Sequence, residues 1–289
     1  MELAVAGIVF LAAAIHPLRD LLIKDNPNAA SGYFSIVLIW LVIAAVQVAV
    51  TKSNLFSATS IWHLIMISSA GLLAYYLGIL AAMHKGEFSV YYPIIRSAPV
   101  FMVVAGWLVL GESYAPPIIV GVVLVTLAVW LLQYRPGTDL LHDPGTLGAA
   151  LLAMAGMGTQ SLSDAEAMQH IEAPVLLFWE YVLVVIGTVI FLAVRKPKNR
   201  SMTSFLLGGW QDTPVRYLFA GCVSYTSYYL ILVAYGLGGD AVAVNCLRQI
   251  SIPLSVLLGG LFLGELNISS RFGWSLLLVA GIIIIIIWK

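Results

Sequence analysis

Apolar residues fill this chain in long blocks, and polar residues collect in short gaps between them. A helix needs roughly 20 predominantly apolar residues to cross a bilayer. Marking off such runs predicts ten helices, at about 3–23, 31–50, 61–83, 87–110, 115–134, 145–165, 174–194, 216–237, 241–263 and 270–288. The runs are too long for barrel strands and lack their alternation, so helix is predicted throughout. The gaps leave no room for a soluble domain, the longest being about 195–215. The first block has no basic leader and no small-residue cleavage site, which predicts a retained helix rather than a signal peptide.

Composition turns this pattern into an environment. Of 289 residues, 61% are hydrophobic and 10% charged, with a mean hydropathy of +0.98. Soluble domains carry about 25% charged residues, so this chain could not cover a water-facing surface. The expected molecule is an integral membrane protein of the bacterial inner membrane, in contact with membrane lipids. Lys+Arg and Asp+Glu number 14 each, so no charge imbalance points to nucleic acid. Cys222 and Cys246 lie in or beside apolar blocks and read as small apolar residues. They indicate neither disulfide nor metal, and no cofactor is expected.

The chain also repeats itself. Tyr75-Tyr76-Leu77 recurs as Tyr228-Tyr229-Leu230, a shift of 153. Without a gap, the same shift sets Gly86-Glu87 on Gly239-Asp240, Gly106 on Gly259 and Leu110-Gly111-Glu112 on Leu263-Gly264-Glu265. A weaker echo links His16-Pro17-Leu18-Arg19-Asp20 to Gln160-Ser161-Leu162-Ser163-Asp164. The predicted fold class is an all-α membrane protein of ten transmembrane helices, built as two inverted five-helix repeats, 1–135 and 136–289. An odd number of helices per repeat makes the second half enter from the opposite side. The halves are then related by a pseudo-two-fold axis in the membrane plane, with a site near the midplane between them. The alternative is duplication in a scaffold of packed helices.

Loop charge predicts the orientation. Lys24, Lys85, Arg135, Arg195, Lys196, Lys198, Arg200 and Arg271 follow odd-numbered helices, and Arg216 opens the eighth. The other side holds Lys52 and Lys289. Both termini are therefore predicted outside the cytoplasm. The basic stretch within 195–215 would lie against anionic lipid.

A few charges fall inside the predicted helices. Arg96 lies about nine residues into the fourth, roughly 13 Å at helical rise, and Arg248 about seven into the ninth, from the other side. An arginine at the bilayer centre costs about 2.5–3.5 kcal/mol on insertion scales, and such residues usually line a cavity or a substrate path. Two guanidiniums facing one cavity suit phosphate, phosphonate or carboxylate, which they bind bidentately. The alternative is an internal ion pair with Glu180, Asp164 or Asp20. In the 153 register Arg96 falls on Gln249 and Arg248 on Ile95. Glu180 lies inside the seventh helix and Asp164, with Glu166, towards the end of the sixth; Asp20 lies with His16 and Arg19 in the last third of the first. Asp20, Asp164, His16 and Glu180 are candidates for a coupling proton; Arg19 with Asp20 also fits an interfacial pair, and His16 a structural hydrogen bond.

Tyrosines gather at Tyr75, Tyr76, Tyr91 and Tyr92 and again at Tyr225, Tyr228, Tyr229 and Tyr235. They suit either packing or a cage for a substrate ammonium group. Pro93, Pro99 and Pro253 interrupt the fourth and ninth helices and flank both arginines, and breaks in corresponding helices point to a binding site. The candidate binding residues are Arg96, Arg248, Tyr92, Glu180, Tyr76, Tyr229 and Gln249.

Two five-helix halves whose fourth helices end in Leu110-Gly111-Glu112 and Leu263-Gly264-Glu265, before fifth helices with Gly121 and Gly273, resemble the EamA branch of the drug/metabolite transporter superfamily. The resemblance spans nearly the whole chain and implies alternating-access movement of small metabolites. His16-Pro17-Leu18-Arg19-Asp20-Leu21-Leu22-Ile23-Lys24 and Tyr92-Pro93-Ile94-Ile95-Arg96-Ser97-Ala98-Pro99 are similar to His-Ala-x-Trp-Asn-x-x-x-Lys and Tyr-Pro-x-x-Arg-x-x-Pro segments of a subgroup associated with phosphonate utilisation. This chain departs from the first at Pro17 and Arg19-Asp20. Its loop charges also oppose the cytoplasmic termini usual in the family.

The expected function is secondary active transport of a small anionic or zwitterionic metabolite: an aminophosphonate, an organophosphate or an amino acid. A flippase for a phospholipid or polyprenyl-phosphate headgroup is the alternative. No phosphate-cradling loop, zinc spacing or Ser-His-Asp arrangement suggests an enzyme. A monomer and a homodimer both fit the sequence.

Overall fold

Helices here start and stop at recognisable local signals. In the computed structural model, residues 2–23, 29–84, 88–133, 143–195, 213–254 and 268–288 are described, and every regular element among them is helical. The elements are α1 (Leu3–Ile23), α2 (Ala29–Thr51), a 3₁₀ segment (Leu55–Ile61), α3 (Trp62–His84), α4 (Phe88–Arg96), α5 (Ala98–Val109), α6 (Pro116–Gln133), α7 (Pro144–Ala167), α8 (Ala173–Arg195), α9 (Pro214–Gly236), α10 (Ala241–Arg248) and α11 (Ile268–Trp288). Asp143 caps α7 by accepting from the N–H groups of Gly145 and Thr146 at 3.0 and 3.1 Å, and Pro144, which has no N–H to satisfy, follows it. Asp240 caps α10 through the Ala243 N–H at 2.9 Å.

The Leu110-Gly111-Glu112 motif is a stop signal. Gly111 adopts a φ of +68°, a left-handed conformation that favours glycine. That turn brings the Glu112 N–H to the Gly106 carbonyl at 3.0 Å. The Tyr114 hydroxyl then donates to the Glu112 carboxylate beside Gly106, where a Cβ would strike it. Burial, and then the bond to Glu112, raises the Tyr114 hydroxyl above its ordinary range, so it remains a donor. The matching Leu263-Gly264-Glu265, Gly259 and the Gly86-Glu87 step lie outside the described residues, as do Lys24, Lys85, Arg135, Lys196, Lys198 and Arg200.

Five stretches among the described residues are long and apolar enough to cross a membrane: Phe34–Thr51, Leu55–Ala82, Tyr91–Val109, Ala173–Phe191 and Pro214–Gly236. Shorter apolar helices cover Leu3–His16, Pro116–Leu132, Ala241–Leu254 and Gly273–Trp288. Polarity is distributed inside out. Val42, Val46, Val50, Trp107, Leu108 and Val109 are exposed, while Asp164, Glu180 and Asn245 are fully buried. Water-soluble proteins show the reverse, so the exterior is suited to lipid and the polar groups to an interior site.

Small residues set which helices touch. α3 lies along α7, α1 along α9, α2 along α8, and α6 along α11, while α5 meets α10. At the α3–α7 crossing Gly71 faces Gly156 backbone to backbone, and Gly78 faces Ala149 and Ala153. The glycine that meets Gly121 in α6 is Gly281 of α11; Gly273 faces open space. Such close approach without Cβ atoms is the usual basis of helix association in lipid.

The breaks in the fourth and ninth predicted helices do not fall at the prolines. Pro93 sits inside α4 without ending it. The helix breaks at Ser97, and Pro99 lies in the first turn of α5. The second break is at Gln249–Ile250, ahead of Pro253 in the helical turn that follows. Pro99 and Pro253 each lie in the first turn after a break, where a proline has no intrahelical N–H bond to lose.

Candidate functional site

Both breaks fall immediately after an arginine. Arg96 is the last residue of α4 and Arg248 the last of α10. Carbonyls at a helix C-terminus carry partial negative charge and favour a cation there. On the preceding turn, at i−4, Tyr92 accepts from Arg96 Nε at 2.8 Å and from Nη2 as well. The Arg96 guanidinium carbon lies 5.0 Å from the Tyr92 ring centroid. Arg248 lies likewise 5.6 Å from the ring centroid of Tyr228. Both arginines are thus held over aromatic faces, which stabilises a partly desolvated cation by about 0.5–2 kcal/mol. The Arg96 carbonyl accepts from Gln249 Nε2 at 3.1 Å, which ties one break to the other.

The two guanidiniums line one cavity, with about 570 Å³ of empty space including its opening. α1 contributes His16, α2 Trp40, α3 Leu72, Tyr75 and Tyr76, and α7 Met157 and Gln160. Tyr181 comes from α8, and Ser224, Ser227 and Tyr228 from α9. Elements from both halves of the chain therefore build the wall. Trp40 is fixed in it by its indole N–H, which lies 3.0 Å from the Gly221 carbonyl and 2.9 Å from Ser224 Oγ. Trp40→Phe is expected to lower stability by about 0.5–1.5 kcal/mol, because it removes a buried hydrogen bond between α2 and α9. Trp107→Phe, at an exposed indole, is expected to change the unfolding midpoint in detergent little by comparison.

Behind the wall two carboxylates meet. Ser68 Oγ of α3 lies 2.5 Å from Asp164 Oδ1 and 3.1 Å from Glu180 Oε1. The Tyr228 hydroxyl donates to Asp164 Oδ2, and Gln160 Nε2 donates to Glu180 Oε1 at 2.7 Å. Tyr228 and Gln160 also line the cavity, so each carboxylate is one side chain away from it. Glu180 Oε2 is buried without a hydrogen-bond partner among the described residues. Asp164 and Glu180 are both 0% exposed, and among the described residues no ion pair joins either to an arginine.

The structure thus brings Arg96, Arg248, Tyr76 and His16 to the cavity wall, and places Tyr92, Gln249, Glu180 and Asp164 directly behind it. Tyr229 stacks on Tyr225 at 6.4 Å between centroids, outside that lining. Tyr91 and Tyr235 are also buried elsewhere, Tyr91 with its hydroxyl 3.5 Å from the Asp143 carbonyl. Asp20 falls in α1, and its side chain lies outside the described residues. Ser68, Trp40, Tyr181, Ser224 and Ser227 were missed in the sequence, where serines in apolar helices carry no charge to mark them. Gln160 did carry a signal, since the echo of His16-Pro17-Leu18 sets it on His16, and both line the cavity.

No family model matches the sequence, and no curated protein does either. The fold is shared with the crystal structure of a protein at a TM-score of 0.72 and 14% identity, covering 97% of this chain and 94% of that one. A likeness at that identity extends to the fold alone.

Proposed function

We propose that this chain is a secondary transporter that moves a small anionic or zwitterionic metabolite by alternating access. The observation that carries the reading is the pair of arginines, each ending a broken helix and both lining one cavity. An aminophosphonate, organophosphate or amino acid would place its anion on Arg96 and Arg248 and any ammonium group against Tyr75, Tyr76 and Tyr228.

The helix pairing supports two inverted five-helix halves. The Tyr-Tyr-Leu match equates α3 with α9, and the His16/Gln160 echo equates α1 with α7. Under that equivalence the α1–α9 and α3–α7 contacts exchange, while α2–α8 and α6–α11 map onto themselves. The hydrogen bond from Gln249 to Arg96 joins two positions 153 residues apart, the repeat shift itself. A pseudo-two-fold axis would pass there, between the arginines. This pairing fits the EamA-like plan, and with the loop charges it gives termini outside the cytoplasm.

The test is uptake by proteoliposomes of 2-aminoethylphosphonate, O-phosphoethanolamine, glycerol 3-phosphate and glutamate. Saturable uptake of at least one, above that of protein-free vesicles, is the expected result. Absence of uptake of all four, together with movement of fluorescent phospholipid between leaflets, would assign the cavity to lipid headgroups instead.

A further inference from the structure

We infer that Asp164, Ser68 and Glu180 form a proton-carrying unit that couples the cavity to a proton gradient, a statement that rests on the transport reading above. The geometry is asymmetric. Asp164 accepts from two hydroxyls, those of Ser68 and Tyr228. Arg248 of α10 lies over the ring of Tyr228, whose hydroxyl donates to Asp164, so one side chain separates the guanidinium from the carboxylate. Glu180 receives the Gln160 amide on Oε1, while Oε2 is fully buried and has no hydrogen-bond partner among the described residues. An ionised carboxylate with a bare, desolvated oxygen is costly, and a neutral acid is far less so. Asp164 is therefore the anion of the pair and Glu180 the neutral acid.

Ser68 makes the pair a relay. Its hydroxyl carries one hydrogen and can also accept, yet its oxygen is within hydrogen-bonding distance of both carboxylates. It cannot donate to both at once. When it donates to Asp164, its lone pair faces Glu180 and accepts the acid O–H. Passing one proton from Glu180 to Ser68, and one from Ser68 to Asp164, leaves the serine unchanged and exchanges the charge of the two acids. The groups that face this unit from neighbouring elements are Gln160 on α7, Tyr228 on α9, Arg248 on α10 and Tyr181 on α8, with Tyr76 on α3 and His16 on α1 across the cavity. Trp40 on α2 brings no titrating group.

Coupling follows from Arg248, which serves two anions. With the cavity vacant its charge compensates Asp164. A substrate phosphonate or carboxylate on Arg248 withdraws that compensation, so Asp164 takes up a proton, and departure of the substrate releases it. One additional proton would therefore travel with each substrate anion.

Two measurements test this, the first needing no substrate. Infrared difference spectra of the reconstituted protein between acid and alkaline pH should contain a buried carboxylic-acid C=O band. Glu180→Gln should weaken and shift it, because Asp164 alone is then left to titrate there, and Glu166→Gln, at an exposed carboxylate, should leave it unchanged. Ser68→Ala, which preserves both acids and nearly the same volume, should shift the band and serves if Glu180→Gln does not fold. A wild-type spectrum without the band, or one unchanged by both Glu180→Gln and Ser68→Ala, overturns the proton site. The second measurement is accumulation of the four compounds above under an inward proton gradient, where one unit of pH supports about tenfold accumulation for one proton per substrate. Asp164→Asn, which removes the group that takes up the proton, should lose that accumulation yet retain exchange of labelled for unlabelled substrate. Gradient-driven accumulation at wild-type level in a folded Asp164→Asn protein overturns the coupling. If the wild-type protein takes up none of the four, the transport reading fails while the infrared band still decides the proton site.

Discussion

Arg248→Ala is expected to abolish uptake of the anionic probes while leaving a folded, monodisperse protein. Arg248 ends α10 and reaches the cavity over the Tyr228 ring, and no carboxylate among the described residues lies within salt-bridge distance of it. A bound anion would have this guanidinium as one of its two principal partners. Each hydrogen bond to a charged group contributes about 1.5–3 kcal/mol. Loss of a two-pronged contact should therefore lower kcat/KM by about 100-fold or more. Arg248→Lys keeps the charge and loses the planar fork, so intermediate activity is expected. Arg96→Ala should be as severe for uptake and more harmful to folding, because Tyr92 is held by the same guanidinium. Wild-type kcat/KM in either alanine variant would remove the arginines from the substrate path.

The second large effect is expected in the seam that sets the cavity's width. In α7, Gly156→Ala would place a Cβ 2.5 Å from the Gly71 carbonyl oxygen and 2.6 Å from the Tyr75 backbone nitrogen. Both are backbone atoms and cannot swing aside, so α3 and α7 must separate. Overpacking of this kind costs about 1–3 kcal/mol, and at this crossing it also moves Tyr75 and Gln160, which line the cavity. Gly148→Ala, in the same helix, meets nothing within 4 Å and replaces a helical glycine, a change usually favourable by about 0.5–1 kcal/mol. Thermal unfolding in detergent should separate the two, with a lower midpoint for Gly156→Ala and an equal or higher one for Gly148→Ala. Equal midpoints in both would mean that the crossing is looser than the structure has it.

What the sequence disclosed was charge and repetition. Arg96 and Arg248 stood out because guanidiniums are costly in lipid, and both line the cavity. The tyrosine repeat at 75 and 228 marked two cavity residues as well. Packing was not legible. Nothing in the spacing distinguishes Gly281, which meets Gly121, from Gly273, which meets nothing. Nor did it show that Tyr229 turns to Tyr225 and away from the site, because neighbouring tyrosines on a helix point in different directions. The prolines indicated breaks but not their position, which the capping geometry of Ser97 and Gln249 decides. Ser68 was hidden for a different reason: its importance depends on Asp164 and Glu180, 96 and 112 residues away.

The most direct test of an anion clamp between two broken helices is a structure of the protein with 2-aminoethylphosphonate bound. The predicted result is the phosphonate within hydrogen-bonding distance of both Arg96 and Arg248, with its ammonium group against the tyrosines. A phosphonate held elsewhere, with the two guanidiniums packed against protein alone, would contradict it.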